Sequence, residues 1–238
     1  MTADANRDRR DTGAAVRRVT SGVAWRRPFG LVARAGKART MARAVVVYES
    51  MFGNSGKVAR AVADGVAEVM SVNLVEVTVA PTELEGVDLI VAGGPTHAFS
   101  MSRESTRRDA RVQGASQGSV ATGLREWLAS LPDEHGRWFA AFDTRVTRVR
   151  RLPGSAAHSA ARAGRRHGFS QAIAPQSFYV LDVEGPLADG ELEHARVWGA
   201  AVAASVPTTV WVFPGRKAGA VPPSVRPSRG QRPAAVWA

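Results

Sequence analysis

The 238-residue chain contains no cysteine. Disulfide bonds, thiolate metal sites and cysteine nucleophiles are therefore excluded, and no metal site is predicted. The chain also lacks any run of roughly 18 uncharged apolar residues, the length that a membrane-spanning helix needs. Redox chemistry stays open only through a bound cofactor, and no membrane partner is expected.

Acidic residues are scarce at both ends of the chain. Residues 1–40 hold ten Arg or Lys against three Asp, and residues 206–238 hold five against none. The centre, residues 41–205, holds 17 basic and 18 acidic side chains, so the ends account for the formal charge of +11. A nucleic-acid reader is expected to carry its positive charge on a folded face. No specific nucleic-acid partner is therefore predicted.

Both ends also lack hydrophobic periodicity. Residues 1–40 mix Arg, Ala, Gly, Thr and Asp, and residues 206–238 are rich in Pro, Gly and Arg, so both segments are predicted to be disordered. Arginines interrupt residues 1–40 throughout, which argues against a secretory signal, and a cytoplasmic location is expected. A second methionine, Met41, directly precedes the first strand. We therefore favour the interpretation that residues 1–40 lie upstream of the true start.

Apolar strands alternate with amphipathic helices between residues 41 and 205. The pattern predicts strands near 43–48, 72–79, 87–92, 138–142 and 177–183. It predicts helices over 56–70, around 124–131, from 154 to 168 and over 191–205, and a long mobile loop over 100–118. This alternation indicates one α/β domain built on a doubly wound, parallel five-stranded sheet.

The first strand leads into the most informative stretch of the chain. Glu49 is followed by Ser50, Met51, Phe52, Gly53, Asn54 and Ser55, and a helical pattern begins at once. Unpaired amides and the helix dipole make such a strand–helix turn an anion site. Hydroxyl, amide and backbone donors in this turn match the needs of a phosphate group. The alternative is an ordinary turn in which Ser and Asn cap the helix.

Two further strands end in comparable loops. Gly93-Gly94-Pro95-Thr96-His97 is predicted to close the third strand, and Asp143-Thr144-Arg145 to stop the fourth. Ligands of open α/β sheets bind beyond the carboxyl ends of the strands, so loops 49–55, 93–102 and 143–154 are predicted to converge. The first loop lacks the Gly-Lys-Ser/Thr ending of a nucleotide triphosphatase and the glycine spacing of a Rossmann site. Glycines after the third strand argue against a phospho-acceptor receiver domain.

These loops carry a resemblance to the flavodoxin family. The stretch from Ser50 to Ser55 resembles the phosphate loop of that family, and Gly93-Gly94-Pro95-Thr96 resembles its second flavin loop. Asp143-Thr144-Arg145 falls where the third flavin loop lies. The resemblance covers about residues 43–205. It implies a flavodoxin-like sheet of strand order 2-1-3-4-5 that binds FMN non-covalently.

The resemblance also implies which residues contact FMN. Those of the first loop, which would hold the phosphate, are Ser50, Met51, Phe52, Gly53, Asn54 and Ser55. Those of the second loop, whose backbone would line the isoalloxazine ring, are Pro95, Thr96, His97, Ala98 and Phe99. Asp143, Thr144 and Arg145 would approach the ring from the other side. No catalytic side chain is implied, because the flavin itself carries the chemistry.

Three functions stay open. The first, and the one we expect, is electron transfer between a reductase and an acceptor protein. The second is an FMN-dependent oxidoreductase that passes electrons from NAD(P)H to a quinone-like small molecule. Ser50-Met51-Phe52-Gly53 also resembles the loop of quinone reductases, and segment 100–118 could build the second cavity they need. The third is a flavin-free interaction domain, because Phe52 replaces the usual threonine and the third loop supplies no aromatic residue near Asp143.

Overall fold

The computed structural model describes residues 41–207. The expectations for residues 1–40 and for nearly all of 206–238 therefore lie outside the described residues. Within residues 41–207, no helix is both long enough and apolar enough to cross a membrane.

Seven strands in residues 41–207 form one sheet. In chain order they are β1 (Arg43–Tyr48), β2 (Ser71–Glu76), β3 (Leu89–His97), β4 (Ser100–Met101), β5 (Trp138–Val146), β6 (Ser170–Gln171) and β7 (Gln176–Val180). Strands β2, β1, β3 and β5 lie side by side in that order and are parallel. Both β6 and β7 pair in parallel with β5 and together occupy the fifth position. With β4 as a short antiparallel addition to β3, the predicted order 2-1-3-4-5 is confirmed.

Helices cover both faces of the sheet. They are α1 (Asn54–Ala67), α2 (Glu104–Val112), α3 (Leu124–Ala129), α4 (Ala156–Arg166) and α5 (Glu191–Ser205). Alternate residues of β1 enter two separate cores, as the period of a strand requires. Val45 and Val47 pack with α3 and α4, whereas Ala44 and Val46 pack with α1 and α5. The predicted doubly wound architecture is therefore confirmed.

Glycines allow helices α1 and α5 to cross closely. A Cβ atom on Gly65 would lie 1.9 Å from the carbonyl oxygen of Arg196. A Cβ atom on Gly199 would lie 2.2 Å from the carbonyl oxygen of Val62. Neither position has room for a side chain, so the two backbones approach one another directly.

Strands β3 and β5 run further than the sequence predicts. The prediction that Gly93-Gly94-Pro95 closes the third strand is wrong, and so is the prediction that Asp143-Thr144-Arg145 stops the fourth. Gly94 pairs with Asp143 and Pro95 with Thr144. Strand β1 ends opposite Gly93, so from there on β3 has a parallel neighbour on one side only. A proline, which lacks an amide, is tolerated in such a half-paired strand.

The predicted mobile loop over 100–118 is also wrong, because it contains β4 and α2. Two strand ends differ as well. Strand β2 stops at Glu76, whose carboxylate accepts a hydrogen bond from the Thr78 amide at 2.9 Å and starts a short 3-10 turn. Strand β7 stops at Val180, before the predicted end at residue 183. Helix α5 has the predicted bounds.

Candidate functional site

A cavity of about 310 Å³ opens at the carboxyl edge of the sheet. The loop after β1, the ends of β3 and β5, helix α2 and the residues after β7 form its walls. The predicted FMN residues that line it are Met51, Phe52, Asn54, Ser55, Pro95, Thr96, His97, Ala98, Thr144 and Arg145. Those that do not line it are Ser50, Gly53, Phe99 and Asp143. The three loops converge as predicted, and the cavity lies within the size range of ligand pockets.

Free backbone amides point to an anion site at the start of α1. Gly53, the residue before the helix, has φ of 89° and no side chain with which to cap it. The amides of Gly53, Asn54 and Ser55 donate no hydrogen bond to any other residue of the described chain. Unpaired amides in the first turn of a 14-residue helix carry the positive end of its dipole. Asn54 and Ser55 also line the cavity, so its wall includes this positive end.

Side chains of the same loop fix its position. The Ser50 hydroxyl accepts a hydrogen bond from the Gly56 amide at 3.2 Å. The Asn54 side-chain amide donates to the carbonyl oxygen of Glu184 at 3.0 Å. These bonds hold the turn from within and tie it to the segment after β7. Ser50 accepts in its bond and Asn54 uses one N–H in the other, whereas the backbone amides of Gly53, Asn54 and Ser55 have no protein partner in the described chain.

A tight turn joins β3 to β4 at the cavity. Its two central residues, Ala98 and Phe99, have φ of 46° and 63°. Consecutive left-handed residues that are not glycine are uncommon and locally strained. Phe99 is 51% exposed, and its backbone packs against Gly154, where a Cβ atom would lie 2.5 Å from the Phe99 carbonyl oxygen. The turn thus rests on the loop before α4 and leaves the phenyl ring outside the cavity.

Asp143 holds the start of α4 rather than the cavity. Its carboxylate is 0% exposed and accepts hydrogen bonds from the Thr96 hydroxyl at 2.8 Å and from the Ala157 amide at 3.0 Å. The Thr96 hydroxyl in turn accepts from the Ala156 amide at 2.8 Å. A carboxylate at a helix N-terminus is favourably placed in the dipole. Asp143 therefore positions α4 and, through Thr96, the end of β3.

Arg145 is a buried cation in the cavity wall. Its residue is 7% exposed, and one terminal nitrogen donates to the carbonyl oxygens of Val149 at 2.7 Å and Leu152 at 3.1 Å. Its Nε atom is buried and has no hydrogen-bond partner within residues 41–207. Buried polar groups are usually paired, so an orphaned Nε at a cavity is consistent with a ligand contact.

Helix α2, which the sequence did not predict, supplies a wall of the cavity. Thr106, Asp109, Ala110 and Gln113 line the cavity, and their spacing places them on one face of the helix and of the turn that follows it. Boundary signals were present in the sequence: Glu104 in the first turn, Arg111 in the last turn and Gly114, with φ of 95°, soon after.

Arg107 anchors α2 to the rest of the domain. Although it is 0% exposed, its guanidinium donates to the carbonyl oxygen of Val120 at 2.7 Å and to the Ser102 hydroxyl at 2.8 Å. It also forms an ion pair with Glu126 at 3.0 Å. Several partners satisfy this buried charge, so polar contacts of Arg107 hold α2 in addition to the small apolar contact of Ala110.

Burial shifts two titratable groups next to this network. Burial raises the pKa of Glu49, although hydrogen bonds from Ser102 and from the Leu124 amide, at 2.7 Å for the latter, oppose the shift. Burial also lowers the pKa of His97, and the nearby Arg107 charge acts in the same direction. Both effects favour the neutral form of the His97 imidazole, whose Nδ1 lies 3.3 Å from the Thr106 hydroxyl.

Comparison with known proteins identifies the fold. No protein-family profile and no curated protein matches the chain. Flavodoxin 2 from Bacillus cereus is similar in structure, with 18% identity, a TM-score of 0.51, and 68% of this chain and 99% of that chain covered. A short-chain flavodoxin associated with a non-canonical PDU bacterial microcompartment matches with 14% identity, a TM-score of 0.50, and 70% and 99% covered. The chain has a flavodoxin-like fold.

Proposed function

We propose that the protein binds FMN in the cavity at the carboxyl edge of the sheet and serves as an electron carrier between two redox proteins. The observation that carries the proposal is the set of free amides of Gly53, Asn54 and Ser55 at the start of α1. Neutral donors at a helix N-terminus suit a phosphate that stays bound. The buried Arg145 in the same cavity, whose Nε has no partner within residues 41–207, is a second observation that favours a bound polar ligand.

The residues present fit FMN. Amides at the start of α1 would bind its phosphate, and the turn from Pro95 to Ala98 would lie along its ring, opposite Thr144 and Arg145. When bound, FMN supplies the capacity to accept and release one or two electrons. The chain's own residues bind and orient it, and the apolar side chains of Met51 and Phe52 limit access of water. No acid or base from the protein is needed for electron transfer.

One specific observation favours the second candidate, an NAD(P)H-dependent oxidoreductase. The α2 face adds polar groups, from Thr106, Asp109 and Gln113, to a cavity that the three predicted flavin loops already enclose. A carrier needs only an exposed edge of the flavin, whereas an enzyme needs space for a second substrate over the ring. Because α2 extends the cavity wall beyond the flavin loops, it can enclose the space that a second substrate needs.

FMN titration of the purified full-length chain tests the proposal. Binding at micromolar or lower concentration, equivalent to about −8 kcal/mol, is expected, with a shifted visible flavin spectrum. Asn54→Asp places a negative charge beside the phosphate amides and should weaken binding at least tenfold. Asn73→Asp, the same change at an exposed position of β2, is the matched control and should have no effect.

Two results would decide between the candidates. Absence of FMN binding by the wild-type chain would contradict both redox functions and leave the interaction domain. If FMN binds, anaerobic mixing with NADPH distinguishes the electron carrier from the NAD(P)H-dependent oxidoreductase. Rapid bleaching of the flavin indicates an oxidoreductase, and no bleaching without an added reductase indicates a carrier.

A further inference from the structure

The phosphate site does not use the charge of Arg145, which also lines the cavity. Arg145 is almost fully buried, its Nε has no hydrogen-bond partner in the described chain, and no carboxylate there lies within ion-pair distance of it. Arg148, three residues further on, shows the usual arrangement: it is exposed and pairs with Asp182 at 2.8 Å. Arg145 and Arg148 therefore differ in burial and in charge pairing, although they are only three residues apart in the chain.

An unpaired buried charge is costly. Removing a guanidinium from water costs several kcal/mol unless an opposite charge or a full set of hydrogen bonds replaces the water. Two carbonyl oxygens, of Val149 and Leu152, satisfy part of the Arg145 side chain. A negatively charged ligand group in the cavity would compensate the remaining charge of the Arg145 guanidinium.

Position separates Arg145 from the phosphate site. The free amides belong to the start of α1, whereas Arg145 is on β5 with Asp143, and both lie on the opposite face of that strand from Thr144, whose hydroxyl contacts α1. The side chain is hydrogen-bonded to the loop that leads to α4. Under the proposed function this is the part of the cavity next to the flavin ring.

We propose that Arg145 stabilises the reduced, negatively charged form of the bound flavin and so raises its reduction potential. Two electrons and one proton convert the neutral oxidised ring into a ring with one negative charge. A reductase supplies the electrons and solvent the proton, whereas a reduced nicotinamide supplies all three as a hydride. A fixed cation in a poorly solvated wall stabilises the second form more than the first. Because this assignment rests on the proposed function, its test begins with FMN binding.

The competing explanation is that Arg145 only clamps the loop between β5 and α4. Arg145→Gln removes the charge and most of the clamp, while Arg145→Lys keeps the charge but loses the guanidinium fork. Arg150→Gln removes an exposed cation from the same loop and is the matched control. If Arg145→Gln does not fold, Arg145→Met, whose side chain is also long and unbranched, takes its place in the experiment.

The experiment measures FMN affinity and midpoint potential for each full-length variant, by titration and by equilibration with a redox dye. We expect Arg145→Gln to lower the preference for reduced over oxidised FMN at least tenfold, which is about 30 mV for a two-electron couple. Arg145→Lys and Arg150→Gln should stay within threefold of wild type.

Two results overturn the inference while FMN binding stands. One is an unchanged potential in Arg145→Gln, and the other is an equal fall in Arg145→Lys, which would identify loop geometry as the cause. A wild-type chain that binds no FMN overturns the proposed function and this inference together.

Discussion

The hydroxyl oxygens of Ser55 and Thr144 lie 2.6 Å apart in a buried hydrogen bond. Ser55 belongs to the first turn of α1 and Thr144 to the end of β5, and β3 separates the two strands that lead to them. The bond therefore fastens the first loop to the third across the middle of the cavity edge. A hydroxyl that makes one such bond keeps capacity for another, so the pair can also face a ligand.

Removing one partner of this pair should destabilise the fold. Thr144→Val keeps the shape of the side chain but leaves the buried Ser55 hydroxyl without its partner, so the free energy of unfolding should fall by about 1–3 kcal/mol. Ser55→Ala should cost a similar amount. The double variant should cost less than the sum, with a coupling of roughly 0.5–3 kcal/mol. Urea denaturation of the four proteins measures the cycle, and strictly additive losses would contradict the coupling.

Replacing Gly53 should weaken FMN binding in addition to destabilising the fold. Gly53→Ala forces a side chain into a left-handed conformation, and its Cβ atom would lie 3.2 Å from the Gln117 side chain. Relaxation of the turn would turn the first amides of α1 away from the phosphate, and we expect an affinity loss of about tenfold, or 1.4 kcal/mol.

Gly136 offers the control for that variant. Its φ is 87°, and a Cβ atom there would meet nothing within 4 Å. Gly136→Ala carries the same backbone strain, roughly 1–2 kcal/mol, outside the cavity wall. It should lower stability without changing FMN affinity, and equal affinity losses in both variants would show that the Gly53 effect is not local.

Stability should depend on pH through Glu49. Burial raises the pKa of this carboxyl in the folded state, so above the ordinary value of 4.5 the folded chain binds more protons than the unfolded chain. Its contribution to stability is therefore fully present below pH 4.5 and is lost as the pH rises through the raised value. Glu49→Gln does not titrate and keeps an acceptor for the Leu124 amide.

Unfolding of wild type and Glu49→Gln across the acidic and neutral range checks this dependence. The difference in unfolding free energy should move in favour of the variant as the pH rises. Parallel profiles for the two proteins would mean that the carboxyl of Glu49 has the same pKa folded and unfolded.

A side chain at Gly65 should separate helices α1 and α5. Alanine favours a helix over glycine by about 1 kcal/mol, but a Cβ atom 1.9 Å from the Arg196 carbonyl oxygen forces the backbones apart. We expect Gly65→Ala to be net destabilising, by roughly 1–3 kcal/mol. Asp64→Ala, at the exposed neighbouring position, should stay within about 0.5 kcal/mol of wild type. Chemical denaturation measures both, and a stabilised Gly65→Ala would refute the close crossing.

The sheet and most helices could be predicted because they depend on local patterns. Strand β1 is apolar on both faces, as a central parallel strand must be. Helices α1 and α5 repeat apolar residues at helical spacing. Strand order followed from the resemblance of two short loops to a known family, and β6 and β7 together occupy the place of one predicted strand.

Helix α2 could not be found from apolar periodicity, because its two buried residues are an arginine, Arg107, and a single alanine, Ala110. A period search counts Arg107 as exposed, yet Ser102, Val120 and Glu126 surround it with acceptors. Those partners come from outside the helix and become visible only in three dimensions. Charge placement and the glycine after the helix were the usable local signals.

The location of the candidate site could be predicted from the sequence better than the contacts of its residues. The convergence of three loops follows from strand direction alone. Asp143 lies within strand β5, so the strand determines the side of the sheet on which its carboxylate lies. The sequence-based prediction ended this strand four residues too early and therefore assigned Asp143 to a loop. The protein partners of Ser55, Asn54 and Asp143 are distant in sequence, so their hydrogen bonds could not be inferred from spacing. FMN contacts of the predicted residues stay a prediction.

The split between β6 and β7 has a consequence for self-association. A continuous fifth strand would leave a long row of unpaired amides and carbonyls at the border of the sheet, a template for a strand from another molecule. Here β6 and β7 are only two and five residues long, and Pro175, which lacks an amide, stands just before β7. The interruption shortens the row of unpaired backbone groups at this edge of the sheet, so the domain is protected there against edge-to-edge aggregation.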